Sequence, residues 1–439
     1  MRTAETGGKR GAEEYGLVGT CLLQVRVCDS GNIPPSLGNL SQLLMLNLAN
    51  NNIAGVIPAS LSNCSNIVIL MLNDNLFSGN IPSSLGKLSN LRMLNLANLA
   101  NNNITGVIPA SLSNCSSLVV LNLGNNSLEG KLPHEFSRLS ELYSLVIHSN
   151  NLNASLPHSM VNCSKLQVLD IGNNLFGGKI PTLIGNLLEL RVLVLKENNL
   201  TGSIPLEIGQ LKHLQIMLLS SNHIPASIPH TIVFLQAMSN ESQNGFVLST
   251  LRGGDLYRDG LDMDLKGTNR HYPYILSTLT SIDLSNNELE GEVPSNFGNL
   301  KGLRLLNLSM NNFNGAIPNS LGEMHQLESL DLSRNHFSGQ VPIEIESLSS
   351  LGSLNLSNNN LSGRIPQGPY MTGFQASSYL GSPNLWGCPL PKNCSWPQFV
   401  PPQDSINKRK KISKYPCIED QEPARESAPK CSACESQCA

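Results

Sequence analysis

Charged and aromatic side chains are scarce in this sequence. Lys, Arg, Asp and Glu make up 14% of its 439 residues, aromatic residues make up 5%, and the formal net charge is −3. Proteins that bind nucleic acid or anionic membranes through surface charge carry a clear basic excess. The composition therefore indicates neither partner.

Long apolar runs are also absent. The longest run, residues 67–72, is far shorter than the roughly 20 residues of a membrane helix. Residues 1–14 are polar, and the apolar stretch at 17–27 is broken by Gln24 and Arg26. The sequence alone therefore predicts no clear signal peptide and no transmembrane helix.

Catalytic signatures are missing as well. There is no Walker loop, dinucleotide-binding glycine motif, His-Glu-x-x-His zinc motif, nucleophile elbow or kinase motif. Cys417, Cys431, Cys434 and Cys438 lack the paired Cys-x-x-Cys spacing of zinc sites, and we interpret them as free thiols or stray disulfides. We therefore expect no enzyme, no cofactor and no metal site.

One repeated unit is abundant instead. Residues 327–342 read Leu-Glu-Ser-Leu-Asp-Leu-Ser-Arg-Asn-His-Phe-Ser-Gly-Gln-Val-Pro, and residues 303–318 and 351–366 repeat the leucines, Asn, Gly and Pro at a spacing of 24. Leu330 and Leu332 flank a polar residue, which predicts a short strand with both leucines pointing inward. A single coil cannot bury its leucines alone, so such units stack as a leucine-rich-repeat solenoid.

An Asn follows each predicted strand. At this place in every coil its amide can bond to backbone groups that the solenoid leaves buried, so successive Asn residues form a ladder. The twelve predicted ladder residues are Asn51, Asn75, Asn102, Asn126, Asn150, Asn174, Asn198, Asn222, Asn287, Asn311, Asn335 and Asn359.

The fold class we expect is an α/β solenoid, a leucine-rich-repeat superhelix with a concave parallel β-sheet and helical or irregular turns on its convex side. Two places break the period. Asn-Leu-Ala occurs twice at residues 95–100, and Pro229 and Pro294 lie 65 residues apart, which is one repeat of 24 plus 41. We interpret the first break as a bulge and the second as an inserted island.

The breaks divide the chain into six predicted parts. They are a poorly ordered N-terminal segment and possible cap remnant at 1–30, repeats at 31–235, the island at 236–276, repeats at 277–367, a C-terminal cap at 368–395 and a disordered tail at 396–439. No strand is predicted ahead of Gly31. Within the cap, Cys388 and Cys394 can close a short disulfide loop in an oxidising compartment. Three cysteines at equivalent turns are predicted to be small apolar fillers: Cys64, Cys115 and Cys163.

The outward positions of the strands are where a ligand can be selected. In the last four repeats they are nearly uniform Ser, Asp or Asn, as at Ser329, Asp331 and Ser333, which indicates scaffold or a shared docking surface. The middle coils carry a mixed apolar and charged strip, which indicates a partner if it faces solvent. Drift in a tolerant repeat explains this strip equally well. The predicted ligand-binding residues are Val146, His148, Val194, Lys196, Glu197, Ile216 and Leu218.

Asn-x-Ser/Thr sequons are frequent, partly because an Asn- and Ser-rich repeat generates them by itself. If the protein enters the secretory route, we expect sequons outside the strands to carry glycans. Asn307 and Asn355, on the strands, are expected to be modified less. The predicted glycosylation sites are Asn63, Asn103, Asn114, Asn153, Asn162, Asn199, Asn240 and Asn360.

Several motifs together resemble one family. The coils end in Leu-x-Gly-x-Ile-Pro, as in plant-specific leucine-rich repeats. Residues 263–267 and 279–285 at the island exit, and Asn-Leu-x-Gly-x-Pro-Leu-x-Lys-Asn-Cys at residues 384–394, resemble plant receptor-like proteins, which are cell-surface receptors without a kinase. The resemblance implies a peptide or protein ligand, partner receptor kinases, a role in defence or development, and a place at the extracellular face of the plasma membrane.

Two other interpretations stay open. A secreted inhibitor of pathogen cell-wall hydrolases, similar to polygalacturonase-inhibiting proteins, uses the same repeat, although that family lacks an island of this kind. A truncated, non-functional product of a receptor gene would explain the missing signal peptide and membrane helix. A full-length transcript with upstream signal and downstream membrane exons would favour the receptor, and a signal exon alone would favour the inhibitor.

Overall fold

The computed structural model describes residues 21–24, 31–97, 102–239, 261–265, 268–272 and 278–394. Within these ranges each repeat forms one coil. A coil consists of a main strand, a short strand on its flank and a 3₁₀ helix that leads to the next coil. Among the described residues, no helix has the length and apolar character needed to cross a membrane.

Thirteen strands form the main sheet in strict chain order. Neighbouring strands are parallel and in register, so that Leu306 lies beside Leu330 and Leu330 beside Leu354. These leucines are buried in one core cluster that runs through the stack. The main strands are β1 (Cys21–Gln24), β3 (Leu43–Asn47), β5 (Ile69–Met71), β7 (Met93–Asn95), β9 (Val120–Asn122), β11 (Ser144–Val146), β13 (Val168–Asp170), β15 (Val192–Val194), β17 (Ile216–Leu218), β21 (Ser281–Asp283), β23 (Leu305–Asn307), β25 (Ser329–Asp331) and β27 (Ser353–Asn355).

A second row of strands, the flank strands, follows the ladder Asn of each coil. The repeat pattern does not predict them. The predicted bend at Gly339 lies inside one of them with φ of 77°, a left-handed value that glycine adopts freely. The flank strands are β2 (Gly31–Asn32), β4 (Ile53–Val56), β6 (Leu76–Asn80), β8 (Asn103–Val107), β10 (Ser127–Gly130), β12 (Asn151–Leu152), β14 (Gly177–Lys179), β16 (Asn199–Thr201), β18 (Pro225–Ala226), β22 (Glu288–Gly291), β24 (Asn312–Phe313), β26 (Ser338–Gln340), β28 (Asn360–Arg364) and β29 (Asn384–Trp386).

A proline ends most flank strands and opens a 3₁₀ helix. Pro58, for example, is extended at φ −71° and ψ 131°, and its carbonyl accepts a hydrogen bond from Leu61 N at 3.1 Å. Proline suits this place because its φ is fixed and no N–H is required there. The helices are η1 (Pro35–Asn39), η2 (Ala59–Asn63), η3 (Ser83–Lys87), η4 (Ala110–Asn114), η5 (His134–Arg138), η6 (His158–Asn162), η7 (Thr182–Asn186), η8 (Leu206–Gln210), η9 (His230–Phe234), η10 (Phe297–Asn299), η11 (Asn319–Glu323), η12 (Ile343–Ser347) and η13 (Ala376–Ser378).

The first strand corrects one expectation. Strand β1 precedes Gly31 and pairs with β3, with Leu23 beside Leu46. The prediction that no strand lies ahead of Gly31 is therefore wrong. Residues 1–20 and 25–30, predicted to be poorly ordered, lie outside the described residues.

The insertion leaves the stack of coils continuous. Strand β17 pairs directly with β21, so that Ile216 lies beside Ser281. Before the chain leaves the coil it forms helix α1 (Gln236–Ser239), in which Met238 is fully buried and its carbonyl accepts from Gly302 N at 2.8 Å. The described part of this coil therefore extends to Ser239. Strands β19 (Leu261–Leu265) and β20 (Thr268–Tyr272) form an antiparallel hairpin, and residues 240–260 lie outside the described residues.

The last coil is covered by residues that follow it. Ser378 O accepts a hydrogen bond from Leu356 N and Leu380 O accepts one from Asn358 N, both at 2.7 Å. Strand β29 extends the last flank sheet, and a disulfide joins Cys388 to Cys394. The predicted tail at 396–439 lies outside the described residues.

Candidate functional site

The ladder Asn residues join consecutive coils. Asn335 Nδ2 donates to Leu332 O (3.2 Å) and Ser333 O (3.1 Å) in its own coil and to Leu308 O (3.0 Å) in the preceding one. Its Oδ1 accepts from Phe313 N at 3.1 Å. The same set recurs at Asn150 and Asn198. These bonds satisfy buried backbone groups between the coils, although Ser333 O also accepts from Met310 N at 3.0 Å.

Asn102 departs from this geometry. Its Nδ2 lies 3.4 Å from Leu96 O and 3.5 Å from Ala97 O, longer than the bonds of the regular coils. This coil contains the duplicated Asn-Leu-Ala, and residues 98–101 lie outside the described residues. The three additional residues therefore coincide with longer Asn102 contacts to its own coil, although Asn102 Oδ1 still accepts from Phe77 N at 2.9 Å.

A second polar row runs along the outward side of the main strands, which we call the strand face. In most coils the last residue of the main strand is Asp or Asn, and its side chain closes the strand end. Asp283 Oδ1 accepts from Ser285 N at 3.0 Å and from Ser285 Oγ at 2.7 Å. Asn307 makes the same two contacts with Ser309 at 3.1 and 2.8 Å. The uniform Ser, Asp and Asn positions therefore serve the scaffold itself.

Four coils lack this strand-end hydrogen bond because an apolar residue replaces Asp or Asn: Met71, Val146, Val194 and Leu218. Three of the four belong to the predicted ligand-binding strip. An apolar side chain cannot accept the N–H two residues later, so each replacement removes a scaffold contact. The strip is thus the part of the strand face where the sequence departs from the requirements of the repeat.

The apolar members of the strip are buried, which corrects the expectation that they face solvent. Val146 is 4% exposed, Val194 1%, Ile216 0% and Leu218 2%. They pack in one cluster that has further buried and half-buried members: Val168, Val192, Leu305, Tyr143 and Leu279. The expectation is wrong because burial of an outward strand position depends on contacts from outside its own coil. Their assignment to ligand contact stays a prediction.

A second apolar cluster on the same strand face was not predicted. Met45, Ile69, Met71, Met93 and Val120 are each at most 7% exposed and pack together. These residues occupy the same strand positions as the predicted strip. Examination of those positions in every coil would have found them.

The polar members of the strip are more accessible. The Glu197 side chain is 47% exposed and that of Lys196 16%, and Lys196 Nζ lies 3.7 Å from Glu197 Oε1. His148 is half-buried, with its Nδ1 3.2 Å from Ser149 Oγ. A partly exposed ion pair of this kind contributes little to stability. These three residues are therefore the part of the strip that a ligand can contact directly.

Glycines make room for the larger strip residues. Gly172, in the coil before Lys196, has no side chain where most coils have Ser or Ala. A β-carbon built on it would lie 3.2 Å from Val194 Cγ1 and 3.3 Å from both Lys196 Cγ and Asp170 Oδ1. Gly124 stands in the same relation to His148. These glycines were not predicted, although their position 24 residues before the large side chain is visible in the sequence.

Three buried thiols occupy the places predicted for apolar fillers. Cys64, Cys115 and Cys163 are at most 1% exposed and unpaired, and each Sγ lies 3.3–3.5 Å from a carbonyl oxygen of the preceding coil. Burial raises the pKa of the Cys115 and Cys163 thiols to about 11. Their burial agrees with the prediction that they fill space in the core.

The predicted glycosylation sites that the structure describes have exposed side chains: Asn63, Asn103, Asn114, Asn153, Asn162, Asn199 and Asn360. Asn240 lies outside the described residues. Asn307 and Asn355, on the strand face, are half-buried. Glycosylation at the exposed sites stays a prediction.

No group of three or more His, Cys, Asp or Glu side chains suited to a metal occurs in the part of the chain that the structure describes. The tail cysteines Cys417, Cys431, Cys434 and Cys438 lie outside it.

The stacked coils, the parallel main sheet and the Asn ladder define a leucine-rich-repeat solenoid. A family model for the leucine-rich repeat matches residues 98–152 and 277–337. A second leucine-rich-repeat model matches residues 42–64, 165–187, 189–211 and 350–370. A search of curated proteins found no significant match.

Solved structures of leucine-rich-repeat proteins resemble this chain. The Arabidopsis receptor kinase HAESA, in complex with the peptide hormone IDA and the co-receptor SERK1, has a TM-score of 0.67 and 30% identity over 85% of this chain and 55% of its own. The plant peptide hormone receptor RGFR1 with RGF2 has a TM-score of 0.50 and 28% identity over 80% and 61%. A leucine-rich-repeat protein of Leptospira interrogans has a TM-score of 0.56 and 28% identity over 75% and 70%.

The chain thus spans 55% and 61% of the length of the two plant receptor structures. It carries leucine-rich repeats and resembles plant receptor-kinase ectodomains in structure. The fold and these neighbours point to a binding protein rather than an enzyme.

Proposed function

We propose that this protein recognises a peptide or protein ligand on the strand face of its middle coils. The observation that carries the proposal is the replacement of the strand-end Asp or Asn by Val146, Val194 and Leu218, next to His148 and Lys196. The repeat itself would favour Asp or Asn at the strand ends. Departures that remove scaffold contacts and cluster on three of four consecutive coils support selection for binding.

Recognition of this kind joins an apolar centre to a polar rim. The buried valines and leucine shape the face, while Lys196 and Glu197 offer one charge of each sign at its accessible edge. Such an arrangement suits an extended peptide with alternating apolar and charged side chains. Catalysis is not part of the proposal.

The further proposals rest on the resemblance of this sequence to plant receptor-like proteins and on the complexes that the structural neighbours of this chain form. We propose that the ligand-bound protein acts with partner receptor kinases, in defence or development, at the extracellular face of the plasma membrane. Glycans at the exposed sequons would leave the strand face open, since Asn307 and Asn355 are half-buried there.

A capture experiment tests the function. The full chain, secreted from plant cells, is incubated with apoplastic wash fluid, and retained peptides are identified by mass spectrometry. We expect a small set of peptides that bind the native protein and not a variant carrying His148→Ser, Lys196→Ser and Glu197→Ser. Peptides retained equally by both proteins would contradict the proposal, and retention of a cell-wall hydrolase instead would favour the inhibitor.

A further inference from the structure

The coils are packed closely on the side of their 3₁₀ helices. The fourth residue after the proline is Gly or Ser in most coils, because it lies against the backbone of the next coil. A β-carbon built on Gly185 would lie 2.6 Å from Glu207 O, and one built on Gly209 would lie 2.4 Å from Thr231 O. Both distances are below atomic contact, so a branched side chain at this position requires the two turns to separate.

Val161 occupies this position in the coil that follows Pro157, and Val233 occupies it in the coil that follows Pro229, ahead of the insertion. A small apolar cavity of ≈ 20 Å³ lies at this junction, between η6 and η7. Residues of both coils line it, including Met160 and Val161 on one side and Ile184 and Leu187 on the other. Atoms around a void lose packing contacts, so this junction is weaker on the turn side than its neighbours.

The same coil is also irregular on its flank. Ala154 has a φ of 70° where Gly130 and Gly178, in the neighbouring coils, have 79° and 75°. Its flank strand β12 contains only two residues and ends the six-stranded flank sheet. Two hydrogen bonds still reach the next coil, from Leu175 N to Leu152 O and from Gly177 N to Ala154 O, both 2.8 Å.

Pro225 breaks the flank sheets a second time, and a third break lies between β24 and β26, where a single bridge joins Ala316 to Ser338. In regular coils the residue at this place donates its N–H to the preceding coil, as Ser338 N does to Gly315 O at 2.7 Å. Proline has no N–H, so Pro225 cannot make the corresponding bond. Strand β18 accordingly pairs with β22 and not with β16, which leaves β14 and β16 as a separate two-stranded flank sheet.

Residues 164–210 lie between the first break, after β12, and the second break, at Pro225. We call these residues the middle block. The main sheet continues through it, since β13 pairs with β11 and β15 pairs with β17. We propose that the middle block tilts against the coils on either side, with the continuous main sheet as the hinge. The junction before it opens on both the turn side and the flank side, whereas the junction after it opens on the flank side alone, because Gly209 packs closely against Thr231. Such a hinge requires only small backbone displacements at the main strands and larger displacements at the loosened junctions.

The tilt moves one part of the candidate site relative to another. Val194, Lys196 and Glu197 belong to the middle block, whereas His148 and Leu218 belong to the coils beside it. Opening a junction therefore changes the width of the strand face between them. Its use for ligand entry rests on the proposed function, while the tilt itself does not.

Hydrogen exchange of the ligand-free full chain tests the tilt, because amides in a junction that opens exchange faster than those in a closed one. We expect peptides containing Leu175 and Gly177 to exchange faster than peptides of the unbroken flank sheet around Thr105. In the paired variant, Pro225→Thr adds one backbone N–H and should slow exchange at the second junction roughly fivefold, the factor expected for one backbone hydrogen bond. Val161→Gly removes the branched side chain and should slow exchange at the first junction, because the two turns can then pack closely. Equal exchange in the native protein, or no slowing in this variant, would overturn the proposal.

Ser137→Val is the matched control, because it places the same branched side chain one coil earlier. It should open the junction between η5 and η6 and accelerate exchange in β12. If the paired variant does not fold, Val161→Ser replaces it, since Ser occupies this position in three other coils. No ligand is present in these measurements, so their outcome is independent of whether a peptide binds.

Discussion

His148 lies over Gly124 of the preceding coil, and a β-carbon built on Gly124 would lie 3.0 Å from His148 Nε2. The two residues are 24 positions apart and therefore occupy equivalent places in adjacent coils. A ring and a side chain cannot both fit there without a shift of a few tenths of an ångström. The His148 ring can therefore take this position because residue 124 has no side chain.

Gly124→Ser should displace His148 and lower the free energy of unfolding by about 1 kcal/mol, the lower range for overpacking. His148→Ser in the same chain should restore most of this loss, because Ser fits next to Ser in the last four coils. Urea unfolding of the two single variants and the double variant measures the coupling, expected at roughly 0.5–1 kcal/mol. Strictly additive changes would mean that the two residues do not interact.

Ala154→Gly should stabilise the protein, although glycine usually destabilises. Ala154 has a left-handed φ of 70°, and this conformation costs an ordinary residue roughly 1–2 kcal/mol. Ala54, which lies in flank strand β4 and has no positive φ, is the control, and Ala54→Gly should destabilise by roughly 0.5–1 kcal/mol. Urea unfolding checks both signs. A loss of stability in both variants would refute the strain at Ala154.

Asn335→Ala should lower the free energy of unfolding by about 1–3 kcal/mol, because it removes the acceptor of the buried Phe313 N–H and one of the two donors that each shared carbonyl has. The exposed Asn312, in the flank strand of the preceding coil, supplies the control, and Asn312→Ala should change stability by less than about 0.5 kcal/mol. Hydrogen exchange should locate the loss in the coils that meet at Asn335. Equal effects of the two substitutions would argue against the ladder.

The repeat made the solenoid, the parallel main sheet and the turns on its far side predictable, because leucines at a fixed period report which residues must be buried together. The flank strands were not predictable in the same way. A stretch such as residues 338–340 contains no apolar alternation, and its pairing depends on a neighbouring coil.

The candidate site was only partly predictable. The positions of His148 and Lys196 on the strand face follow from the period. The burial of Val194 and Leu218 does not, because it depends on which side chains the neighbouring coils place beside them. The two breaks beside the middle block depend on single residues, Val161 and Pro225, whose effect is visible only when adjacent coils are compared.

The buried thiols predict a pH dependence. Burial raises the pKa of Cys115 and Cys163 from 9.0 to about 11, so the folded chain holds their protons where the unfolded chain has lost them. Their contribution to stability is therefore fully present below pH 9.0 and lost as pH rises toward 11. The free energy of unfolding, measured between pH 8 and 11, should fall less steeply with pH when both cysteines are replaced by Ala. An unchanged slope would show that neither thiol titrates in this range.

Titration calorimetry with a peptide recovered in the capture experiment tests the account most directly. The variant His148→Ser, Lys196→Ser should bind at least about tenfold more weakly than the native protein, equivalent to roughly 1.4 kcal/mol. The variant Ser329→Ala, Ser353→Ala, altered at equivalent strands of the uniform coils, should bind as the native protein does. A peptide that loses affinity only in the Ser329 and Ser353 variant would contradict recognition by the middle coils.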